Sequence, residues 1–293
     1  MKNKLLLLLL LICSLNLFSE KIVLKNERIE VTCEEQDLAF AQNIIDVLPN
    51  MIDDFQVSIG SYPDFVAKIY LSHDREDFQR LTNHFSGITE FSNAFYSNRN
   101  KQIYIKSYFE IENNQQFHTI LLHEYIHAFI DYYLKDAPLW FHEGMAVYFS
   151  RQYSLQMSIN LGLDYLSGDV RDISKMERDY PFNSLNLSSF YAKSAQAVKF
   201  LYEENKNEFS NLFNKKAHFN SAFTTTFKTT RMIFYKDFEK SFKRKIILNT
   251  GYGIFSALWA LLPIVLLLGW HRQSKKRQKE IDEMPDEDEV KII

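Results

Sequence analysis

Two short stretches of this 293-residue chain are the most informative about its structure: HEYIH at residues 123–127 and PLWFHEGMA at residues 138–146. Residues four apart in an α-helix lie on one face. His123 and His127 can therefore direct two imidazoles to one point, while Glu124 lies about 100° further around the helix. This spacing supplies two ligands for one metal ion, with a carboxylate beside them.

Glu143 is the best candidate for a third ligand. The helix that carries the two histidines should end before Pro138, because proline lacks an amide hydrogen and disfavours helix in the residue ahead of it. Pro138 also suits the first position of the next helix. A short connection favours an antiparallel return, which would bring Glu143 to the level of His127. A catalytic zinc usually has three protein ligands and an open fourth position, and this set matches that number.

The two stretches together resemble the gluzincin metallopeptidases, which combine HExxH with a Glu inside a WxxEGxA-type helix. The resemblance is closest to the bacterial peptidase MA-like domains, and it covers roughly residues 94–202. Those domains carry a downstream tyrosine in a Tyr-x-x-Ser/Gly-Ala type segment, which is Tyr191–Ala195 here. The resemblance implies that the Tyr191 hydroxyl stabilises an oxyanion. The alternative is that Tyr191 is an ordinary core or surface residue, one of sixteen tyrosines.

The ligand set and the resemblance predict a zinc metallopeptidase with one Zn²⁺ ion. Zinc lowers the pKa of water from about 15.7 toward about 7, so that Glu124 can accept a proton and pass it to the leaving amine. The substrate is expected to be a peptide or protein. The absence of a Gly-x-Met-Glu-Asn motif, which aminopeptidases use, favours an endopeptidase. Two alternatives stay open: an inactive peptidase-like module that binds an envelope protein or peptide, and a membrane protein in which zinc only holds helices together.

Other zinc classes fit the sequence less well. A metzincin requires Gly and His three and six places after His127, where Ile130 and Tyr133 stand. The two cysteines of the chain have no ligand motif around them. His142 is predicted to support the site rather than to bind metal, and Asp131 is either a partner of the ligands or a solvated acid near the helix end.

The two ends of the chain predict a membrane protein. Residues 1–19 combine a basic start with a short apolar run, as in a secretory signal peptide. Residues 246–270 contain no charged side chain and, at about 1.5 Å each, exceed a bilayer core of about 30 Å. We therefore predict a transmembrane helix there, with a buried core helix as the alternative. Export from the amino end would place the catalytic body, residues 20–245, outside a bacterial cell membrane (periplasm or cell surface), and the charged tail, residues 271–293, in the cytoplasm.

Composition sets the remaining limits. Hydrophobic residues make up 46% of the chain, which is enough for one full-size globular domain. A net charge of −3 and separated basic runs give no reason to expect a nucleic-acid partner. Once a leader is removed, Cys33 is the single cysteine left, so we expect no internal disulfide.

Strands are predicted in the first part of the chain and helices from about residue 114. This order predicts an α+β fold. The resemblance implies a zincin-like arrangement: a small N-terminal mixed β-sheet, the HExxH helix, and a C-terminal helical subdomain, followed here by the transmembrane helix. The predicted strands are 21–31, 65–71 and a hairpin of 94–97 with 102–106, and the predicted helices besides the HExxH helix include 34–55, 188–204 and 234–245.

One predicted strand has a possible role in substrate binding. In zincins the edge of the sheet lines the cleft and holds the substrate as an added strand. Ala94, Phe95 and Tyr96 lie upstream of the HExxH helix and are predicted to form that edge. The alternative is an aromatic-rich strand that packs in the core.

Overall fold

The computed structural model describes residues 21–82, 93–111, 114–181 and 186–282. The predicted signal peptide, residues 1–19, lies outside this range, as do residues 283–293 of the predicted tail. The described chain is mostly helical with a small sheet. It divides into two units, with the boundary between Glu239 and Lys240.

A five-stranded mixed sheet forms the amino-terminal part, with the strand order β1-β2-β3-β5-β4. The three central strands are parallel, and the two outer strands run antiparallel to their neighbours. Inward-facing residues alternate along β2, where Ile29, Val31 and Cys33 are fully buried. The strands are β1 (Lys21–Lys25), β2 (Ile29–Glu34), β3 (Ala67–Leu71), β4 (Ala94–Ser97) and β5 (Gln102–Ile105).

The single strand predicted at 21–31 is wrong, because this stretch contains a turn. The Asn26 side-chain oxygen accepts hydrogen bonds from the backbone N–H groups of Arg28 (2.8 Å) and Ile29 (2.9 Å). An asparagine that bonds the backbone two residues ahead stabilises a reversal of the chain. β1 and β2 therefore form an antiparallel hairpin around Asn26.

Helices make up most of the remaining described chain. The first one packs on the sheet and also contacts the helix that carries HEYIH, where the Gln56 side chain donates a buried hydrogen bond to the Tyr125 hydroxyl (2.7 Å). The helices are α1 (Leu38–Ile59), α2 (Arg75–Thr82), α3 (Asn114–Tyr133), α4 (Leu139–Phe149), α5 (Leu155–Ser167), α6 (Leu187–Glu204), α7 (Phe219–Phe227) and α8 (Arg231–Asp282). Two short strands, β6 (Leu134–Lys135) and β7 (Ala217–His218), pair in parallel and form a second small sheet.

The transmembrane helix predicted at 246–270 is wrong. Across the described ranges, no helix combines the length and the apolar character that a membrane crossing requires. The uncharged stretch is the middle of the 52-residue helix α8, whose flanking turns are rich in lysine and arginine, so that this helix taken as a whole is not apolar. The predicted single-pass location in a bacterial membrane, which depended on this span, is wrong for the same reason.

Candidate metal centre

Helix α3 carries its two histidines on one face, and most of its other described residues are apolar and buried. Tyr125, Ile126 and Phe129 are buried in the core, and they orient the helix. His123 and His127 lie on the face that α4 approaches, with 4.8 Å between their ring centroids. The i, i+4 spacing that the sequence indicated is thus realised in a helix held by its buried face.

Helix α4 brings Glu143 to these histidines. Helix α3 ends at Tyr133, and α4 begins at Leu139 after Pro138, which has the extended backbone (φ −70°, ψ 153°) of a residue that precedes a helix. The Oε2 atom of Glu143 lies 3.4 Å from Nε2 of His123 and 3.7 Å from Nε2 of His127. The structure therefore brings together all three residues predicted as metal ligands.

The spacing of the three donor atoms fits one tetrahedral zinc ion. Ligands about 2.0–2.1 Å from such an ion stand roughly 3.4 Å apart. The nearest ligand atoms of His123, His127 and Glu143 all lie within 4.8 Å of one another. In the described part of the chain, no fourth His, Cys, Asp or Glu joins this group. Three protein ligands with an open fourth position are typical of a catalytic centre, since structural zinc sites are closed by four.

The charges of Glu143 and His127 suit metal ligands as well. Burial raises the pKa of Glu143, but the nearby His127 and His123 and the hydroxyl of Tyr180 outweigh burial and bring that pKa down to about 2. Burial lowers the pKa of His127 to about 3. Glu143 is therefore an anion and His127 a neutral imidazole, which are the forms that bind metal. Burial also lowers the pKa of His123, but its hydrogen bond to Glu143 and the charge of Glu124 outweigh burial and raise it.

Glu124, the predicted general base, lies beside the ligands but is not one of them. Its Oε2 atom accepts a hydrogen bond from the backbone N–H of Tyr96 (2.7 Å). Burial raises the pKa of Glu124 to about 7; the charge of Glu143 adds to the rise, whereas His123 and the bond from Tyr96 oppose it. A buried carboxylate with a pKa near neutrality is suited to proton transfer.

The predicted substrate-binding strand is β4, the outer strand of the sheet. Tyr96 lies next to the site, because its N–H contacts Glu124 and its hydroxyl donates to Asp131 (2.9 Å). Ala94 is buried, and the Phe95 ring stacks on Tyr104 at 5.0 Å between centroids. The position of Tyr96 agrees with an edge strand beside the cleft, while the packing of Phe95 agrees with the alternative of a core strand. Its role in binding substrate stays a prediction.

Asp131 matches neither predicted alternative, because its side chain is only 15% exposed and its partners belong to the β4–β5 hairpin rather than to the metal ligands. This residue accepts hydrogen bonds from the Tyr96 hydroxyl, the Asn98 amide (2.8 Å) and the Lys101 ammonium. It therefore ties the β4–β5 hairpin to helix α3, four residues beyond His127. The ring of His142 lies 5.7 Å from that of His127, but His142 does not belong to the ligand group found among the described residues.

Tyr191, predicted to stabilise an oxyanion, lies on α6 near both carboxylates of the site. Burial raises the pKa of its phenol, and the charges of Glu143 and Glu124 add to this effect. Its hydroxyl forms no hydrogen bond within the described ranges, so its donor is free for another group. Its ring contacts that of Tyr180, which bonds Glu143, and the catalytic role of Tyr191 stays a prediction.

Gly144 explains how α4 and α6 come close enough to bring Glu143 and Tyr191 to one site. A Cβ atom at position 144 would overlap the carbonyl oxygen of Ser194 on α6 and would lie 2.7 Å from Cγ2 of Val198. Backbone atoms cannot yield cheaply to such a contact. Any larger residue at position 144 must push the two helices apart.

Gly144→Ala is expected to lower the free energy of unfolding by about 1–3 kcal/mol, because it overpacks the contact between α4 and α6. Chemical denaturation of the full chain measures this change. Gly269→Ala is the matched control, since nothing lies within 4 Å of a Cβ atom at that helical glycine, and it should be neutral or slightly stabilising. Equal stability of the Gly144 variant and the wild type would contradict the tight helix contact.

Two residues of the site have no motif that sequence reasoning could have used. The Nδ1 atom of His123 is 2.7 Å from the side-chain oxygen of Gln152, which lies just beyond the end of α4. An amide oxygen there favours a proton on Nδ1 and leaves Nε2 free to bind metal. Tyr180, in the segment between α5 and α6, donates a hydrogen bond to Oε1 of Glu143. Both contacts depend on loops that only the folded chain brings to the site.

Comparison with known proteins does not identify a family for this chain. No family model matches the chain, and no curated protein matches it. One solved structure with a similar backbone is a two-domain M1 zinc metallopeptidase mutant bound to L-arginine, with 12% sequence identity and a TM-score of 0.41. The match covers 75% of this chain and 50% of that protein, so the chain spans about half of its length. Similarity at this level does not assign the chain to a family.

Proposed function

We propose that this protein is a zinc-dependent peptidase of the gluzincin type that hydrolyses peptide bonds. The observation that carries the proposal is the convergence of His123, His127 and Glu143 on one point. Oε2 of Glu143 lies 3.4 Å from Nε2 of His123 and 3.7 Å from Nε2 of His127. Glu124 adds a buried carboxylate next to this point. An open coordination position beside a general base favours catalysis over a purely structural metal site.

Four side chains share the first two roles in the chemistry, which are to hold the metal and to transfer a proton. A bound zinc ion supplies a Lewis acid that makes water easier to deprotonate and polarises a carbonyl group. His123, His127 and Glu143 would hold it. Glu124 accepts the proton of the attacking water and then delivers it to the amine that leaves when the C–N bond breaks. The burial of Glu124 keeps bulk water from competing for that proton.

Tyr191 completes the proposed machinery. When water adds to the peptide carbonyl, negative charge develops on the carbonyl oxygen, and a fixed donor at that oxygen lowers the barrier. The hydroxyl of Tyr191, which forms no hydrogen bond with the described residues, would be such a donor. Its high pKa keeps it protonated at neutral pH, so it can donate throughout the reaction.

The proposed substrate is an extended peptide that lies along β4. An extended chain can add to the outer strand of a sheet through main-chain hydrogen bonds. Ala94, Phe95 and Tyr96 belong to that strand, and a peptide bound there would lie next to the general base, because Tyr96 contacts Glu124. The missing aminopeptidase motif supports cleavage within a chain, and we therefore propose an endopeptidase.

Zinc content and peptide cleavage, measured on the full purified chain, test this function. We expect near-stoichiometric zinc by mass spectrometry and cleavage of a peptide library by the wild type. Glu143→Ala should lose both, because it removes one of three ligands. Glu203→Ala, at an exposed glutamate on α6, is the matched control and should retain both. A wild type that binds no zinc would overturn the proposal; zinc without cleavage would favour an inactive peptidase-like module.

A further inference from the structure

The two carboxylate oxygens of Glu143 have different partners. Oε2 faces Nε2 of His123 and of His127. Oε1 accepts a hydrogen bond from the hydroxyl of Tyr180. One oxygen is thus available to a metal ion and the other is already occupied by a donor.

We propose that Tyr180 is a positioning residue that holds Glu143 as a one-oxygen metal ligand. This inference rests on the proposed function, because it assumes that zinc binds at the three ligands. A donor on Oε1 restricts rotation of the carboxylate and keeps Oε2 directed at the metal. Partners of metal ligands commonly contribute to affinity in this way, even though they do not touch the ion.

The segment that carries Tyr180 is bound to the same helix as Glu143. The first backbone N–H groups of a helix have no partner within the helix, and Pro138 offers no side-chain cap. Here the N–H of Leu139 donates to the carbonyl of Glu177 (2.8 Å), and the N–H of Trp140 donates to the carbonyl of Met176 (3.0 Å). The segment therefore replaces the missing cap of α4, one turn before Glu143.

Further contacts fix this segment. Ile173 and Met176 are buried in the core. The Glu177 carboxylate accepts hydrogen bonds from Arg231 (3.0 Å) and from the Tyr235 hydroxyl (2.8 Å), both at the start of α8. Tyr180 thus reaches Glu143 from a segment that is anchored at both its backbone and its side chains.

Tyr180 and Tyr191 have separate roles in this proposal. Their rings are in contact, with 6.4 Å between centroids. The Tyr180 hydroxyl is committed to Glu143, whereas the Tyr191 hydroxyl forms no hydrogen bond in the part of the chain that the structure describes. One tyrosine holds a ligand, and its neighbour remains free for the substrate.

The test compares zinc affinity, by competition with a chromogenic chelator, for the full-length wild type and three phenylalanine variants. Tyr180→Phe is expected to raise the zinc Kd by about 10–100-fold. Tyr191→Phe should leave zinc affinity unchanged and lower kcat at saturating zinc. Tyr62→Phe, at a tyrosine that is 60% exposed, controls for the loss of any phenol and should change neither quantity.

Two further measurements separate positioning from a general loss of structure. Peptide cleavage by Tyr180→Phe should recover when zinc is added in excess, whereas cleavage by Tyr191→Phe should not. The visible spectrum of the cobalt-loaded protein should change in Tyr180→Phe, because a carboxylate free to bind through both oxygens alters the coordination geometry. Thermal unfolding of the metal-free proteins checks that each variant folds.

The outcomes distinguish this inference from the proposed function. If the wild type binds zinc and folded Tyr180→Phe binds it with equal affinity and an unchanged cobalt spectrum, the positioning role is wrong and the peptidase proposal stands. If the wild type binds no zinc, the proposed function is wrong, and the positioning role is wrong with it. Weaker binding by Tyr180→Phe with recovery in excess zinc supports the role.

Discussion

Glu124→Gln is expected to lower kcat for peptide cleavage by about 10²–10⁴-fold while zinc content stays at the wild-type level. Glutamine has nearly the same shape, and its amide oxygen can still accept the N–H of Tyr96 that Oε2 accepts now. What it cannot do is take a proton from water. Mass spectrometry of bound zinc and steady-state cleavage of one identified peptide, on the same samples, measure the two effects.

Glu203→Gln is the matched control for this substitution, because Glu203 is an exposed glutamate on α6 whose ion pair is with the exposed Lys199, at 3.7 Å. It should leave both zinc content and kcat unchanged. Wild-type cleavage by Glu124→Gln would exclude Glu124 as the general base. Loss of zinc in Glu124→Gln would instead make Glu124 a ligand, contrary to its position outside the three-residue group.

Lys193→Met is expected to lower the free energy of unfolding by about 3–5 kcal/mol, because it leaves a largely buried carboxylate without its cation. Only 2% of the Lys193 side chain is exposed, and its ammonium group lies 2.6 Å from the Glu239 carboxylate and donates to the carbonyl of Arg171 (2.6 Å). Glu239 in turn accepts the N–H of Ile173 (2.8 Å). The pair thus connects α6, the segment before Tyr180 and the start of α8.

Lys199→Met is the matched control, since Lys199 lies on the same helix and 53% of its side chain is exposed. An exposed i, i+4 pair contributes only about 0.3–0.5 kcal/mol, so this variant should unfold almost like the wild type. Chemical denaturation of both full-length variants gives the comparison. Equal stabilities for the two variants would show that burial does not strengthen the Lys193–Glu239 interaction.

Much of the candidate site could be predicted from local sequence, because the ligand geometry depends on short-range rules. The four-residue spacing of His123 and His127 requires only a helix. Pro138 ends one helix and precedes the next, and this short connection suffices to return Glu143. The hairpin of β4 and β5 was likewise predicted, because its two strands are close in sequence. The turn at Asn26 was missed, although an asparagine that bonds the next N–H groups is a local signal.

Contacts between residues that are distant along the chain could not be predicted from local sequence. Tyr180 lies 37 positions after Glu143 and Gln152 lies 29 positions after His123, and neither belongs to a pattern. The predicted membrane span was wrong for a different reason: the uncharged stretch belongs to the 52-residue helix α8, which also includes the charged turns on both sides.

Spacing along the chain therefore determined the three candidate ligands and the base, because helix periodicity and proline act within a few residues. The packing of α4 on α6 at Gly144, the capping of α4 by the Tyr180 segment and the buried Lys193–Glu239 pair were decided by the tertiary structure. These interactions are selected by shape and by the cost of leaving buried polar groups unpaired, and both are properties of the folded chain as a whole.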